Sequence, residues 1–74
     1  MTNFASRARE LRNAKKLTQK QMASEIGVSE ILWRKYEAGD RAPTLEGLIA
    51  IADYFDVSTD FLLGRTDNPN SHKM

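Results

Sequence analysis

Nine of the chain's eleven Lys and Arg side chains fall within its first 41 residues, and the chemistry they offer is the binding of anions. Arg7, Arg9, Arg12, Lys15, Lys16, Lys20, Arg34, Lys35 and Arg41 stand there against five acids (Glu10, Glu25, Glu30, Glu37, Asp40), a local balance of +4. Residues 42–74 hold Arg65 and Lys73 against Glu46, Asp53, Asp56, Asp60 and Asp67, a balance of −3, so the net charge of +1 hides a division between halves. Such a division directs the basic half toward an acidic or polyanionic partner, although Lys and Arg on solvated helix faces give the same count.

Catalytic and metal chemistry find few candidates. His72 is the only imidazole and there is no cysteine, so no thiolate metal site, His-centred catalytic pair or disulfide can be assembled. Asp53, Asp56 and Asp60 are close enough in sequence to raise an oxygen-ligand cation site. They read better as solvation of helix ends, favourable at the N-terminal dipole of the helix that follows. Ser29 and Ser58 stand where caps are needed, with no general base in view. Gly27, Gly39 and Gly64 stand singly, without phosphate-loop spacing. No enzyme activity, metal or cofactor is expected.

The elements that must carry the basic half are helical. Seventy-four residues leave room for one domain, and the 41% hydrophobic and 28% charged composition is that of a folded globule. Met1 to Arg9 lacks the apolar stretch of a signal peptide, and the longest apolar run, Leu48 to Ala52, is far short of a membrane span. A single soluble cytoplasmic domain over 1–64, with no membrane association, is expected, followed by a flexible polar tail over 65–74.

Phe4, Ala8 and Leu11 lie on one face of a helix from about Asn3 to Lys15. Thr18-Gln19-Lys20-Gln21 fits a capping box that opens a second helix, with Met22, Ala23 and Ile26 inward and Gly27 as its stop. Ser29 caps a third, which carries Trp33 and Tyr36 and ends at Gly39. After Pro43, a fourth runs from about Thr44 to Phe55 with Leu45, Leu48, Ile51, Ala52 and Phe55 on one stripe. Ser58 caps a short fifth, from Thr59 to Leu63, stopped by Gly64. No window alternates with period two, so the class is all-α.

Within this frame, Gln19 to Ala38 has the requirements of a helix-turn-helix. Ala23 allows close approach, Gly27 reverses the chain, and Trp33 and Tyr36 turn inward. The opposite face of the third helix, beginning at Ser29 and Glu30, is left free and could enter a DNA major groove. Three consecutive large apolar residues, Ile31, Leu32 and Trp33, cannot all face the core at about 100° per residue. Ile31 or Leu32 is therefore expected to be exposed, either to meet a thymine methyl or to meet a protein partner.

Leu17-Thr18-Gln19-Lys20-Gln21-Met22-Ala23, Gly27-Val28-Ser29, Tyr36-Glu37-Ala38-Gly39, Ala42-Pro43 and Val57-Ser58-Thr59-Asp60-Phe61-Leu62-Leu63-Gly64 together resemble the lambda-repressor-like (Cro/repressor, Xre-type) helix-turn-helix family. The likeness extends from Phe4 to Leu63. It implies a compact five-helix domain and a sequence-specific, double-stranded DNA-binding transcriptional regulator, of phage-type or bacterial repressor kind. Ser29, Glu30, Ile31 and Lys35 then fall where the family reads bases or flanking backbone. Arg7, Gln19, Lys20, Arg34 and Arg41 fall on or near the side that meets phosphates. Arg12 and Glu37 match positions that pair in relatives. A homodimer on a palindromic operator would use helices four and five, with Tyr54, Phe61 and Leu63 as candidate contacts. The chain departs from the family pattern at Ile31, Leu32 and Trp33. That keeps open an antitoxin-like or antirepressor-binding module acting through protein contacts at Ile31 and Leu32.

Overall fold

The computed structural model describes residues 4–70, and the expectations concerning Asn3, His72 and Lys73 lie outside them. The described residues form α1 (Phe4–Ala14), α2 (Gln19–Ile26), α3 (Glu30–Ala38), α4 (Leu45–Phe55) and α5 (Thr59–Leu62), with no strand among them. Hydroxyl caps set four of the starts. Thr18 Oγ1 accepts from the Gln21 amide at 3.0 Å while Gln21 Oε1 accepts from the Thr18 amide at 2.8 Å, the reciprocal capping box. Ser29, Thr44 and Ser58 each accept from the amide three residues on, at 3.0 Å. Each cap is worth about 1 kcal/mol.

The stops are left-handed residues. Gly27 (φ 84°) and Gly39 (φ 80°) take this conformation without a Cβ penalty. Asp56 (φ 57°) does the same work at the end of α4, and Lys16 (φ 60°) in the turn after α1, although neither is a glycine.

Each helix gives its inward stripe to one core. Phe4, Ala8, Met22, Ala23, Trp33, Tyr36, Ile51, Ala52, Phe55, Val57 and Leu62 are buried together. Tyr36 holds the aromatic centre, edge-on to Phe4 at 5.9 Å and to Trp33 at 5.7 Å. The packing of α3 against both α1 and α2 leaves its other side to solvent.

Two expectations are corrected. Leu45, placed on the inward stripe of α4, is 80% exposed. At about 100° per residue it stands some 120° round the helix from Ile51, past the edge of the buried stripe. Residues 65–70, read as frayed tail, are tied back instead. The Arg7 guanidinium donates to the carbonyls of Phe61 (2.9 Å) and Thr66 (2.7 Å), and the Ser58 amide donates to the Pro69 carbonyl (2.7 Å). A polar stretch without periodicity can still be ordered by backbone bonds to a capped helix, which no sequence pattern registers.

Candidate nucleic-acid interface

The outward face of α3 starts at its positive end, where Ser29 caps the first turn. Beyond it, Ile31 is 68% exposed, Arg34 and Lys35 are exposed, and Leu32 is half-buried beside the core. Trp33 takes the buried position, so Ile31 is the one of the three consecutive apolar residues that faces solvent. Glu30 does not stand alone. Its carboxylate accepts from Arg34 Nη2 at 2.6 Å, one turn on, so a residue expected to read bases and one expected to hold phosphate are linked as an ion pair. Lys20 in the first turn of α2 and Arg41 in the loop before α4 are exposed cations, like Lys35. Gln19 is half-buried at the start of α2.

Beneath this face lies a buried carboxylate. Glu37, in the last turn of α3, is 4% exposed. Its oxygens accept from Arg12 Nε at 2.6 Å and Arg12 Nη2 at 2.9 Å, a two-pronged pair between α1 and α3. Gln19 Nε2 donates to Oε1 at 3.1 Å, and the Trp33 indole N–H donates to Oε2. Arg12 Nη1 also holds the Leu17 carbonyl at 2.8 Å. Burial pushes the Glu37 carboxyl up. The hydrogen bonds from Arg12, Gln19 and Trp33, with the Arg12 charge, outweigh it and hold the group below the ordinary carboxylate range. Glu37 in turn raises the Arg12 guanidinium by hydrogen bond and charge, against the opposing effect of burial. One anion thus joins α1, the start of α2 and the end of α3, and fixes how α3 is presented. Arg9, whose Nε lies 3.5 Å from Glu37 Oε1, and Trp33 belong to this cluster and were not anticipated. The Trp33–Glu37 spacing of four was the available signal, since it places donor and acceptor one turn apart.

Arg7 does not join the cationic face. Its side chain is 14% exposed, bonded to Asp67 at 2.7 Å and stacked 4.0 Å above the Phe61 ring, so it fastens residues 65–67 to α1 and α5. Nor do Tyr54, Phe61 and Leu63 form one patch. Tyr54 sits under Lys15 Nζ at 5.3 Å and edge-on to Phe55, and burial together with Glu25 raises its hydroxyl above the ordinary value. Phe61 is covered by Arg7. Leu63 lines a cleft of about 620 Å³ with Phe4, Tyr36, Pro43 and Leu48. Among the described residues, no three His, Asp or Glu side chains gather as a metal site, and no helix is long and apolar enough to cross a membrane.

Comparison with known proteins places this arrangement. The chain is 42% identical over 67 residues to YobD of Bacillus subtilis, named an uncharacterized HTH-type transcriptional regulator, covering 90% of this chain and 60% of the relative. It is 50% identical over 54 residues to the cryptic phage CTXphi transcriptional repressor RstR of Vibrio cholerae, covering 73% of this chain and 48% of that protein. The chain thus spans about half to three-fifths of the length of these relatives. The solution structure of the SOS-response transcriptional repressor LexA from Eubacterium rectale superposes with a TM-score of 0.77 at 27% identity, over 81% of this chain and 64% of that one. The family model described as Helix-turn-helix matches residues 9–62, which hold the Glu37 cluster and the free face of α3, and the chain belongs to this helix-turn-helix family, of the Xre, lambda-repressor-like kind.

Proposed function

We propose that this chain binds double-stranded DNA in a sequence-specific manner, with α3 in the major groove, and regulates transcription as a repressor. The observation that carries the reading is the buried Glu37 cluster, which holds α3 rigidly from behind while its capped start and outer face stay free. Ser29, Glu30, Ile31 and Lys35 are the base-reading side chains. Lys20, Lys35 and Arg41 supply the phosphate contacts, joined by Gln19 as a neutral donor and by Arg34 where Glu30 releases it. Two copies bind a palindromic site, since two half-sites double the contacts and impose the symmetry. No catalytic step and no cofactor enters this function.

Selection of preferred sequences from a random duplex pool tests the reading, followed by titration of the winner against salt. With Arg7 occupied and Arg34 paired, the cations of the expected interface that remain without a partner among the described residues are Lys20, Lys35 and Arg41. Log K should therefore fall against log salt with a slope of about −3 per protomer, at −0.9 for each phosphate contact. Binding insensitive to salt, or a pool without enrichment, defeats the proposal.

The exposure of Ile31 at 68% supports a second reading, in which this face docks a protein partner through Ile31 and the edge of Leu32. That reading requires Ile31→Ser to abolish capture of the partner while leaving every duplex bound as before.

A further inference from the structure

The cleft lined by Phe4, Tyr36, Pro43, Leu48 and Leu63 has no task in the DNA reading. At about 620 Å³ it has the size of a small-molecule site. Its rim is the turn after α3, and that turn is held in place. Gly39, in the left-handed conformation, reverses the chain, and the amides of Asp40 and Arg41 donate back to the Lys35 carbonyl at 2.9 and 3.3 Å. Pro43 then restricts the backbone at the entry to α4. The opening is therefore formed before any ligand arrives.

Three polar groups of this cleft have no partner of their own. Tyr36 is 5% exposed, and its hydroxyl has no hydrogen-bond partner among the described residues. No fully buried side-chain oxygen or nitrogen among them is left unbonded, so that hydroxyl reaches the surface, and the cleft is the surface that Tyr36 lines. Asp40 and Arg41 are exposed on the rim, and neither side chain has a partner among the described residues. The Arg41 guanidinium rides on a long stem with reach over the opening, while the Asp40 carboxylate stays one methylene from its backbone. Together these groups select a ligand. An apolar body suits the walls, the guanidinium fork matches a carboxylate with two bonds, and the Tyr36 hydroxyl can donate to one of its oxygens. Asp40 cancels the charge of the rim, which admits a single negative charge and disfavours a phosphate ester carrying two.

We propose that this cleft binds a small monocarboxylate with an aryl or alkyl body, and that the bound acid takes Arg41 away from DNA phosphate. The binding half stands on the cleft alone. The regulatory half deepens the DNA reading and rests on it, because acid and duplex compete for one guanidinium.

Titration of the full chain with phenylbutyrate, followed by amide NMR shifts without DNA, is the first test. Saturable shifts should centre on Gly39, Arg41, Leu48 and Leu63, with a Kd on the order of 1 mM for a ligand of this size. The neutral phenylbutyramide and the cationic phenylbutylamine should each bind about tenfold more weakly, as should the acid to Arg41→Gln. Tyr36→Phe keeps the ring in the core and removes only the hydroxyl, so it should unfold like the parent and bind the acid about fivefold more weakly. The second test adds the duplex that the parent prefers. Saturating phenylbutyrate should weaken duplex binding at least about fivefold, the duplex should weaken acid binding by the same factor, and acetate at equal ionic strength should do neither. The salt slope should become shallower by about 0.9 as one phosphate contact is lost. Absence of saturable shifts at tens of millimolar, equal binding of the amide or the amine, or shifts centred on Leu45 and Ile49 overturns the site. Unchanged duplex binding at saturating acid overturns the regulation. A chain that takes the acid as described but ignores every duplex removes the DNA reading and leaves the site standing.

Discussion

At the scale of single residues, Glu37 and Glu30 are carboxylates on one helix with opposite tasks. Glu37 is buried and fully bonded, so its charge is part of the scaffold. Its depressed pKa fixes the sign of its pH effect. The stability it contributes is complete above the unfolded carboxylate pKa of about 4.3 and is lost as pH falls through that value toward the lower folded one. Thermal unfolding between neutral pH and pH 3 should show this acid loss in the parent. Glu37→Gln, which has no charge to lose, should flatten the profile. At neutral pH the same variant leaves the Arg12 charge buried without its partner and should cost about 3 kcal/mol, a large part of the stability of so small a domain. Glu30, half-buried and paired with Arg34, has a different fate. Glu30→Gln should hardly change unfolding. It frees Arg34 for phosphate and alters preference at one base pair by about 1–3 kcal/mol. Selection of preferred sequences by the two proteins side by side checks it, and identical preferences would remove Glu30 from the reading face. Ile31→Ser should likewise lose discrimination at the neighbouring thymine, and replacing that base by uracil, which lacks the methyl, should reproduce the loss.

At the scale of elements, what the sequence made legible was local. The starts at Thr18, Ser29 and Ser58 and the stops at Gly27 and Gly39 depend on hydrogen bonds three to five residues apart, and those residue types announce them. The inward choice of Trp33 and Tyr36 followed from helical spacing, which left Ile31 or Leu32 to solvent without choosing between them; the structure exposes Ile31. The Arg12–Glu37 pair spans 25 residues and came only from family likeness. Arg7 was misplaced because its surroundings are made by distant segments, and Leu45 because its helical angle carries it past the edge of the buried stripe. Arg7 is claimed by Phe61, Thr66 and Asp67, more than fifty residues away. Lys16 shows a local cost that no residue type advertised. Its φ of 60° puts a Cβ where a side chain is strained, by roughly 1–2 kcal/mol in a left-handed conformation. Lys16→Gly should relieve that strain. Part of the gain is offset by the greater freedom glycine gives the unfolded chain, leaving a net stabilisation of about 0.5–1 kcal/mol. Urea denaturation reads the difference directly, and a loss of stability would show that the Lys16 side chain makes contacts worth more than its strain.

For the whole molecule, size and charge distribution constrain how two copies can share one duplex. The described residues measure 30 × 23 × 21 Å, smaller than one DNA turn of about 34 Å, so one copy can occupy one half-site without reaching the next. Both α3 helices can then enter the major groove on the same face of the duplex. The acidic second half of the chain, with Glu46 and Asp53 exposed on α4 and Asp56 at its end, is repelled by phosphate and favours the side away from it. On the proposed reading, contact between two copies adds to DNA affinity only when the half-sites lie in phase. Inserting about 5 base pairs between the half-sites turns one of them by about half a turn and carries the second copy to the opposite face. Paired occupancy should then fall to that of two independent half-sites, whereas inserting about 10 base pairs restores the facing but stretches the gap beyond contact. Gel-shift titrations of the three duplexes separate the possibilities. A parent spacing that alone gives a steep, two-copy transition supports a rigid dimer on one face. Equal binding to all three spacings would mean that each copy reads its half-site alone.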